Sequence, residues 1–242
     1  MIRIAAVGDL HFGADLQGTL RPHLESLPDQ ADVLLLAGDL TRVGDPDEAA
    51  VLAEELRDSP VPIVAVLGNH DYHSDREDEV RKILKESGVR VLEGEAVVLE
   101  VDGGRLGVGG SKGFGGGFVG ACGSDFGEPE MKAFVRHTKE IAAALEEAIA
   151  GLETDVRVAL MHYAPVDQTL QGERPEIYPF LGSYLLAEAV DRAGASLALH
   201  GHAHRGIEKG VTPGGVPVRN VALPVIRRPY NVYCIEDGRA LG

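Results

Sequence analysis

Three short apolar runs in the first seventy residues constrain this chain more than any other feature. Residues 2–7, 33–37 and 63–67 consist of Ile, Val, Leu and Ala, interrupted only by Arg3. Each stops at a glycine followed by a polar residue, in Gly8-Asp9, Gly38-Asp39 and Gly68-Asn69. Runs of this length without polar alternation suit strands buried on both faces, as in a parallel sheet. Helix signals fill the gaps. Asp45, Pro46 and Glu48 read as N-cap, first-turn proline and capping partner of a helix running to about residue 57. Ser74 and Glu77 repeat the capping box, and Gly88 is placed to stop the second helix. These are βαβ units, so the first strands are expected to be parallel.

Downstream the rhythm changes. Residues 97–101 and 105–108 flank Asp102-Gly103-Gly104 and read as a hairpin. A glycine-rich stretch, 113–127, precedes a helix over 129–150. Residues 156–161 form a strand pattern ending at His162, 183–193 a helix, and 196–200 a strand ending in Gly201-His202-Ala203-His204. The tail from 206 to 235 reads as short strands, with turns at Pro213-Gly214-Gly215 and Asp237-Gly238. Two sheets' worth of strands, with helices before, between and after them, fit an α/β fold built as a four-layer α/β/β/α sandwich. With 242 residues and no linker or internal repeat, one domain over 1–242 is expected. Tryptophan is absent, so the core must rest on aliphatic side chains.

Charge narrows the partners. The formal net charge is −15, and the longest basic run is Arg227-Arg228, which disfavours nucleic acid as a partner. Cys122 and Cys234 form no CxxC pattern, against a disulfide framework or a thiolate zinc site and in keeping with a reducing cytoplasm. The apolar start is too short for a signal peptide, and no run approaches a membrane span. The expectation is a cytoplasmic protein with no membrane partner.

The chemistry lies at the strand ends. Asp9, His11, Asp39, Asn69, His70, His162, His202 and His204 all fall just past the carboxyl end of an expected strand, and five of the nine histidines belong to this set. That edge is where open α/β sheets bind ligands. Asp9-Leu10-His11 alone is a common tripeptide. Gly68-Asn69-His70-Asp71 is more specific, because glycine permits a tight turn from which three polar groups emerge. In Gly201-His202-Ala203-His204 the alternating histidines share one face of an extended chain, a metal signal. The bland alternative, satisfied turns and surface histidines, would need five coincidences at one edge. Mixed imidazole, carboxylate and amide donors suit Mn, Fe, Zn, Co or Ni and fit Ca poorly.

In this order, Asp-x-His, Gly-Asp, Gly-Asn-His-Asp, His and Gly-His-x-His, the motifs resemble those of the calcineurin-like metallophosphoesterase superfamily, and they span Gly8 to His204. The resemblance implies two divalent metal ions, one held by Asp9, His11, Asp39 and His204 and the other by Asp39, Asn69, His162 and His202. It implies that Asp39 bridges them and that His70 stands free of the metals, oriented by Asp71. The implied activity is hydrolysis of small-molecule phosphate monoesters or diesters, by in-line attack of a metal-bridging hydroxide with His70 as proton donor. Gly38-Asp39-Leu40-Thr41-Arg42-Val43-Gly44 departs from the Gly-Asp-x-x-Asp-Arg-Gly of protein serine/threonine phosphatases, which disfavours that branch. Asp9-Leu10-His11 is similar to the phosphodiesterase and small-ester members. A nuclease would use the same site, but the acidic balance argues against it. A non-catalytic scaffold would have eroded ligands, and here all are present.

Two further features stay open. Arg42 could meet phosphate or simply be solvated. Residues 115–120 match GxGxxG without the strand and helix that a dinucleotide site needs, and are expected as a loop near the metal edge and a candidate cover for substrate.

Overall fold

The structure, a computed structural model, describes residues 1–241. The three apolar runs become β1 (Ile2–Val7), β2 (Val33–Ala37) and β3 (Ile63–Val66), parallel and adjacent. Burial on both faces explains their lack of alternation. Ile4, Ala6, Leu35 and Val64 enter one core, while Ala5, Val7, Leu34, Leu36 and Ala65 enter another. Over the second lie α1 (Arg21–Glu25), α2 (Leu27–Gln30), α3 (Pro46–Leu56) and α4 (Glu77–Glu86), whose Leu24, Leu27, Leu52, Leu56, Val80 and Leu84 fill it. Each such side chain contributes about 1.5–3 kcal/mol on burial.

Asp45 caps α3 by accepting the Asp47 N–H at 2.9 Å, as its sequence predicts. The reciprocal half of that capping box does not form. Glu48 instead accepts the Arg42 and Val43 amides, both at 3.0 Å. Nor does Ser74 cap α4, which starts behind Arg76, and its hydroxyl donates to the Val43 carbonyl at 2.5 Å. Both polar side chains brace the loop that follows Asp39 instead of a helix end.

The rest of the chain builds a second sheet and closes the first. In order come β4 (Arg90–Val91), β5 (Glu95–Val101), β6 (Gly104–Ser111), the ribbon strands β7 (Gly117–Phe118) and β8 (Ala121–Cys122), α5 (Pro129–Ala150) and β9 (Val156–Met161). Then follow α6 (Tyr178–Leu181), α7 (Tyr184–Arg192), β10 (Leu197–His200), β11 (Lys209–Val211), β12 (Pro217–Asn220), α8 (Leu223–Ile226), β13 (Asn231–Glu236) and β14 (Arg239–Ala240). The first sheet runs β14-β13-β1-β2-β3-β4 and the second β11-β12-β10-β9-β6-β5. The expected hairpin is β5 and β6, antiparallel from Glu95 opposite Gly110 to Val101 opposite Gly104. Strands β6, β9, β10 and β12 are mutually parallel.

The sheets face each other across an aliphatic layer in which Leu35 and Val64 join a cluster with Val108, Val158 and Leu199. Helices α5 and α7 cover the far side of the second sheet, completing the expected α/β/β/α layering. Small residues on that side let α5 come close: a Cβ at Gly109 would lie 2.4 Å from Ile149. The glycine-rich stretch is not a bare loop. It holds the ribbon and is pinned by Gly116 N–H to Pro179 O at 2.7 Å and Gly117 N–H to Gly182 O at 2.9 Å. Among the described residues no helix is long and apolar enough to cross a membrane. Both cysteines are free.

Candidate metal centre

The carboxyl ends of the central strands from both sheets are stitched together by backbone groups. Asp9 N–H donates to Gly38 O at 2.9 Å and His11 N–H to Asp39 O at 3.0 Å at the edge of the first sheet; at the edge of the second, Gly201 N–H donates to His162 O at 3.1 Å. The His162 ring crosses between sheets, its Nδ1 donating to Ala37 O at 2.9 Å. The His202 amide donates to both Asp9 oxygens at 3.0 Å.

This framework collects the side chains nominated from sequence. Asp9, His11, Asp39 and His204 offer ligand atoms all within 4.8 Å of one another, and so do Asp39, His162 and His202. Asp39 belongs to both groups. Asn69 joins the second, its Oδ1 lying 2.9 Å from His162 Nε2. His70 stands at the edge, with Nδ1 donating to Arg42 O at 2.6 Å and Nε2 3.9 Å from Asp39 Oδ2. Its ring meets His11 edge-on at 4.6 Å.

One expected relation does not hold. Asp71 does not orient His70; the Arg42 carbonyl does. The Asp71 carboxylate is fully buried and accepts Gly68 N–H at 2.8 Å, Leu40 N–H at 3.1 Å, Thr41 N–H at 2.8 Å and Thr41 Oγ1–H at 2.6 Å. It ties the loop after β2 to the loop after β3, and so fixes Asp39 relative to Asn69. Asp71 closes the turn that begins at Gly68, and its side chain reaches back to the Gly68 amide and to the loop after β2, not to the imidazole. Arg42 is also committed, with its guanidinium on Asp15 at 2.7 Å and on His11 O at 3.1 Å.

Local backbone explains why these motifs carry glycine. Asp9, His11, Asp39 and His202 all have positive φ, between 45° and 69°, a left-handed conformation costing roughly 1 kcal/mol or more for each non-glycine residue. Four strained residues in one cluster show that the surrounding hydrogen bonds over-determine the loops. Gly68 and Gly201, by contrast, serve close approach, not an unusual φ. A Cβ at Gly68 would sit 2.1 Å from Asp39 Oδ1, and one at Gly201 2.3 Å from Asp9 Oδ2.

The donors fit divalent cations. His11 Nε2 is buried without any hydrogen-bond partner. Since His162 Nδ1 donates to Ala37, its Nε2 presents a lone pair to Asn69 Oδ1 and, at 3.3 Å, to Asp39 Oδ1. Acceptors facing acceptors at such distances are repulsive unless a cation sits among them. Burial favours the neutral form of two of these rings, with His162 well below the usual imidazole range and His202 lowered to about 3. His11 is lowered by the same cause, whereas hydrogen bonding to Asp9 at 2.7 Å raises His204. Burial pushes Asp9 up to about 6 against the opposing His204 bond. Neutral imidazoles beside carboxylates form the donor set that transition-metal ions favour.

Two positions at this edge escaped the sequence. Thr41, fully buried, completes the Asp71 clasp. Lys112 follows β6 at the same edge, but Gly109-Gly110 reads as a strand breaker and ended the expected strand at residue 108, whereas β6 runs to Ser111. Had the strand been extended, Lys112 would have shown the same strand-end signal as the ligands.

The family model of calcineurin-like phosphoesterases matches residues 2–206. Among curated proteins nothing matches the chain. Phosphopantetheinyl hydrolase from Mycobacterium tuberculosis is similar in structure, with a TM-score of 0.66 at 20% identity over 93% of this chain and 90% of that one. The TT1561 protein of Thermus thermophilus gives 0.54 at 18%, over 90% and 88%. A putative 5′-nucleotidase from Staphylococcus aureus gives 0.60 at 15%, over 99% of this chain and 54% of that one. At these identities the likeness concerns the fold.

Proposed function

The chain belongs to the calcineurin-like phosphoesterase family, and from that premise we propose that it is a dinuclear hydrolase of small-molecule phosphate monoesters or diesters. The observation that carries this reading is the sharing of Asp39 between two ligand groups that close around it. A single-ion site would not need a second set of donors on the far side of the same carboxylate. Asp9, His11, Asp39 and His204 would hold one ion, and Asp39, Asn69, His162 and His202 the other.

Divalent ions bound there would lower the pKa of water to near neutrality and offset charge on the phosphoryl oxygens. The chain's own groups do the rest. His70, anchored through Nδ1 on Arg42, turns Nε2 toward the cluster, where an imidazolium can give its proton to the leaving oxygen. Asp71 keeps Asp39 and Asn69 in register through four donors, so the two ligand groups move together. The Phe180 carbonyl accepts from His202 Nε2 at 3.3 Å and leaves Nδ1 as the donor atom.

The test is metal analysis of the purified protein, paired with assays on an aryl monophosphate and a bis-aryl phosphodiester after Mn²⁺ supplementation. About two ions per chain and turnover of at least one ester are expected, with His70→Ala losing turnover while keeping its metal. One ion per chain, or metal-loaded protein inert towards both esters, would overturn the reading.

A further inference from the structure

Beside the metal cluster lies a cavity of about 610 Å³ that shares Asn69 with it. Its wall carries Lys112, only 8% exposed. The ammonium has one polar partner, Gly113 O at 3.2 Å, and no carboxylate within ion-pair distance among the described residues. Tyr72, Phe114 and Tyr163 surround it, with ring centroids 5.1, 5.0 and 5.2 Å from Nζ. A chain with 38 acidic residues thus leaves a buried cation without a counter-ion, next to its reaction centre. Buried lysines are rare unless paired.

The cavity's carboxylates do not fill that role. Glu93 is committed to the wall, accepting from Ser111 Oγ at 3.1 Å, the Lys112 amide at 3.2 Å and Tyr72 OH at 3.4 Å. Glu140 projects from α5 at the exposed rim. Tyr163 connects the two regions, since its ring lies 4.4 Å from that of His202. Burial lowers the Lys112 pKa, and the nearby Glu93 and Asp39 charges oppose the shift.

We propose that this cavity receives the leaving group of the substrate, and that Lys112 selects esters whose leaving group is aromatic or planar and carries a second anionic group. The rings supply apolar walls of matching shape, and the ammonium supplies the missing half of an ion pair that forms only when such a substrate enters. Lys112 is therefore a specificity residue. The inference rests on the phosphoesterase reading of the adjacent centre.

Phenyl phosphate, 3-carboxyphenyl phosphate and 1,3-phenylene bisphosphate should be compared with the Mn²⁺-loaded enzyme, the last two separating a carboxylate from a phosphate as the anion. At least one anionic ester should be preferred over phenyl phosphate by about tenfold or more in kcat/KM, through KM, and Lys112→Met should abolish that ratio. Lys112→Arg, which keeps the charge, should restore part of it. Equal loss on all three esters, with the ratio intact, would place Lys112 on the scissile phosphate or in the scaffold and overturn the inference, as would the absence of any preference in the wild type. Calorimetric titration with 3-carboxyphenylphosphonate and phenylphosphonate reads the same discrimination without turnover. A binding preference that Lys112→Met removes, in a protein that hydrolyses no ester, would sink the hydrolase reading and leave the anion pocket standing. Equal binding of the two phosphonates would overturn the pocket alone. Lys112→Met should melt no lower than the wild type, since it removes an unpaired buried charge.

Discussion

The two sheets contribute to the metal centre in different ways. The first sends Asp9, His11, Asp39 and Asn69 from the loops after β1, β2 and β3, and three of these four residues have left-handed backbone. Both of the cluster's carboxylates come from this side, and amide donors hold them: the His70 N–H on Asp39 at 2.9 Å and the His202 N–H on Asp9. The second sheet sends only imidazoles, His162, His202 and His204, and His202 alone among them has positive φ. Two of its rings are aimed by single carbonyls, Ala37 for His162 and Phe180 for His202. The carboxylates therefore sit where the backbone is most tightly fixed, and the neutral rings of His162 and His202 where one hydrogen bond suffices to choose a tautomer. A buried carboxylate that drifts loses both its cation and its hydrogen bonds, whereas a buried neutral ring loses less.

That contrast is broken most severely at Asp39, the residue shared by both ligand groups. Asp39→Asn should lower kcat/KM on any ester the wild type turns over by on the order of a thousandfold or more, with loss of both ions in metal analysis. His202→Asn should cost less and leave the first ion in place. If the two substitutions proved equal in metal content and rate, the division between a charged and a neutral half would be wrong.

The glycines sharpen the same comparison. Gly68→Ala puts a Cβ 2.1 Å from the Asp39 carboxylate and should weaken metal binding by about a hundredfold, read by competition with a chelator. At Gly38, whose φ is 81°, a Cβ would meet the His162 ring at 2.6 Å, so Gly38→Ala disturbs the neutral half and should cost less affinity than Gly68→Ala. The reverse order would show that ring position, not carboxylate position, limits affinity.

Most of this centre was legible in the sequence because its chemistry and topology coincide. Uninterrupted apolar runs locate the strands, and a glycine followed by Asp, Asn or His marks each loop where the parallel sheet would place a ligand. What could not be read was direction. Asp71 adjoins His70 in the chain, but a side chain on the next residue of a tight turn points elsewhere, and it serves Thr41 and Gly68 instead. Glu48 and Ser74 matched capping spacing and were taken up by the Asp39 loop, a tertiary use that outcompetes the local one. Lys112 was hidden by two glycines that look like a strand's end and serve a close approach: a Cβ at Gly110 would lie 2.9 Å from Val66 and Leu92.

The smallest effect concerns acid stability of the metal-free protein, where the buried imidazole of His200 and the buried carboxylates of Asp9 and Asp71 should titrate in opposite senses. His200, fully buried between Gly201 O at 2.7 Å and Thr169 Oγ1 at 2.9 Å, is lowered by burial to about 4. Between that value and the ordinary imidazole pKa of about 6.5, the unfolded chain binds a proton that the folded chain refuses. Stability from this residue is therefore full above about pH 6.5 and falls by about 2 kcal/mol on reaching pH 5. Asp9 and Asp71, both pushed up to about 6 by burial, have the opposite sign, since their folded forms hold protons that the unfolded chain releases above its ordinary carboxylate pKa. Their contribution is present at low pH and is lost as pH rises through about 6. Urea unfolding of chelator-treated protein between pH 5 and 7 reads the balance. His200→Gln should flatten the acid-side loss by about one proton, or roughly 1.4 kcal/mol per pH unit, and Asp71→Asn should steepen it. An unchanged slope in His200→Gln would mean that this ring is already charged inside the fold, and the neutrality assigned to the second sheet's buried imidazoles would have to be given up.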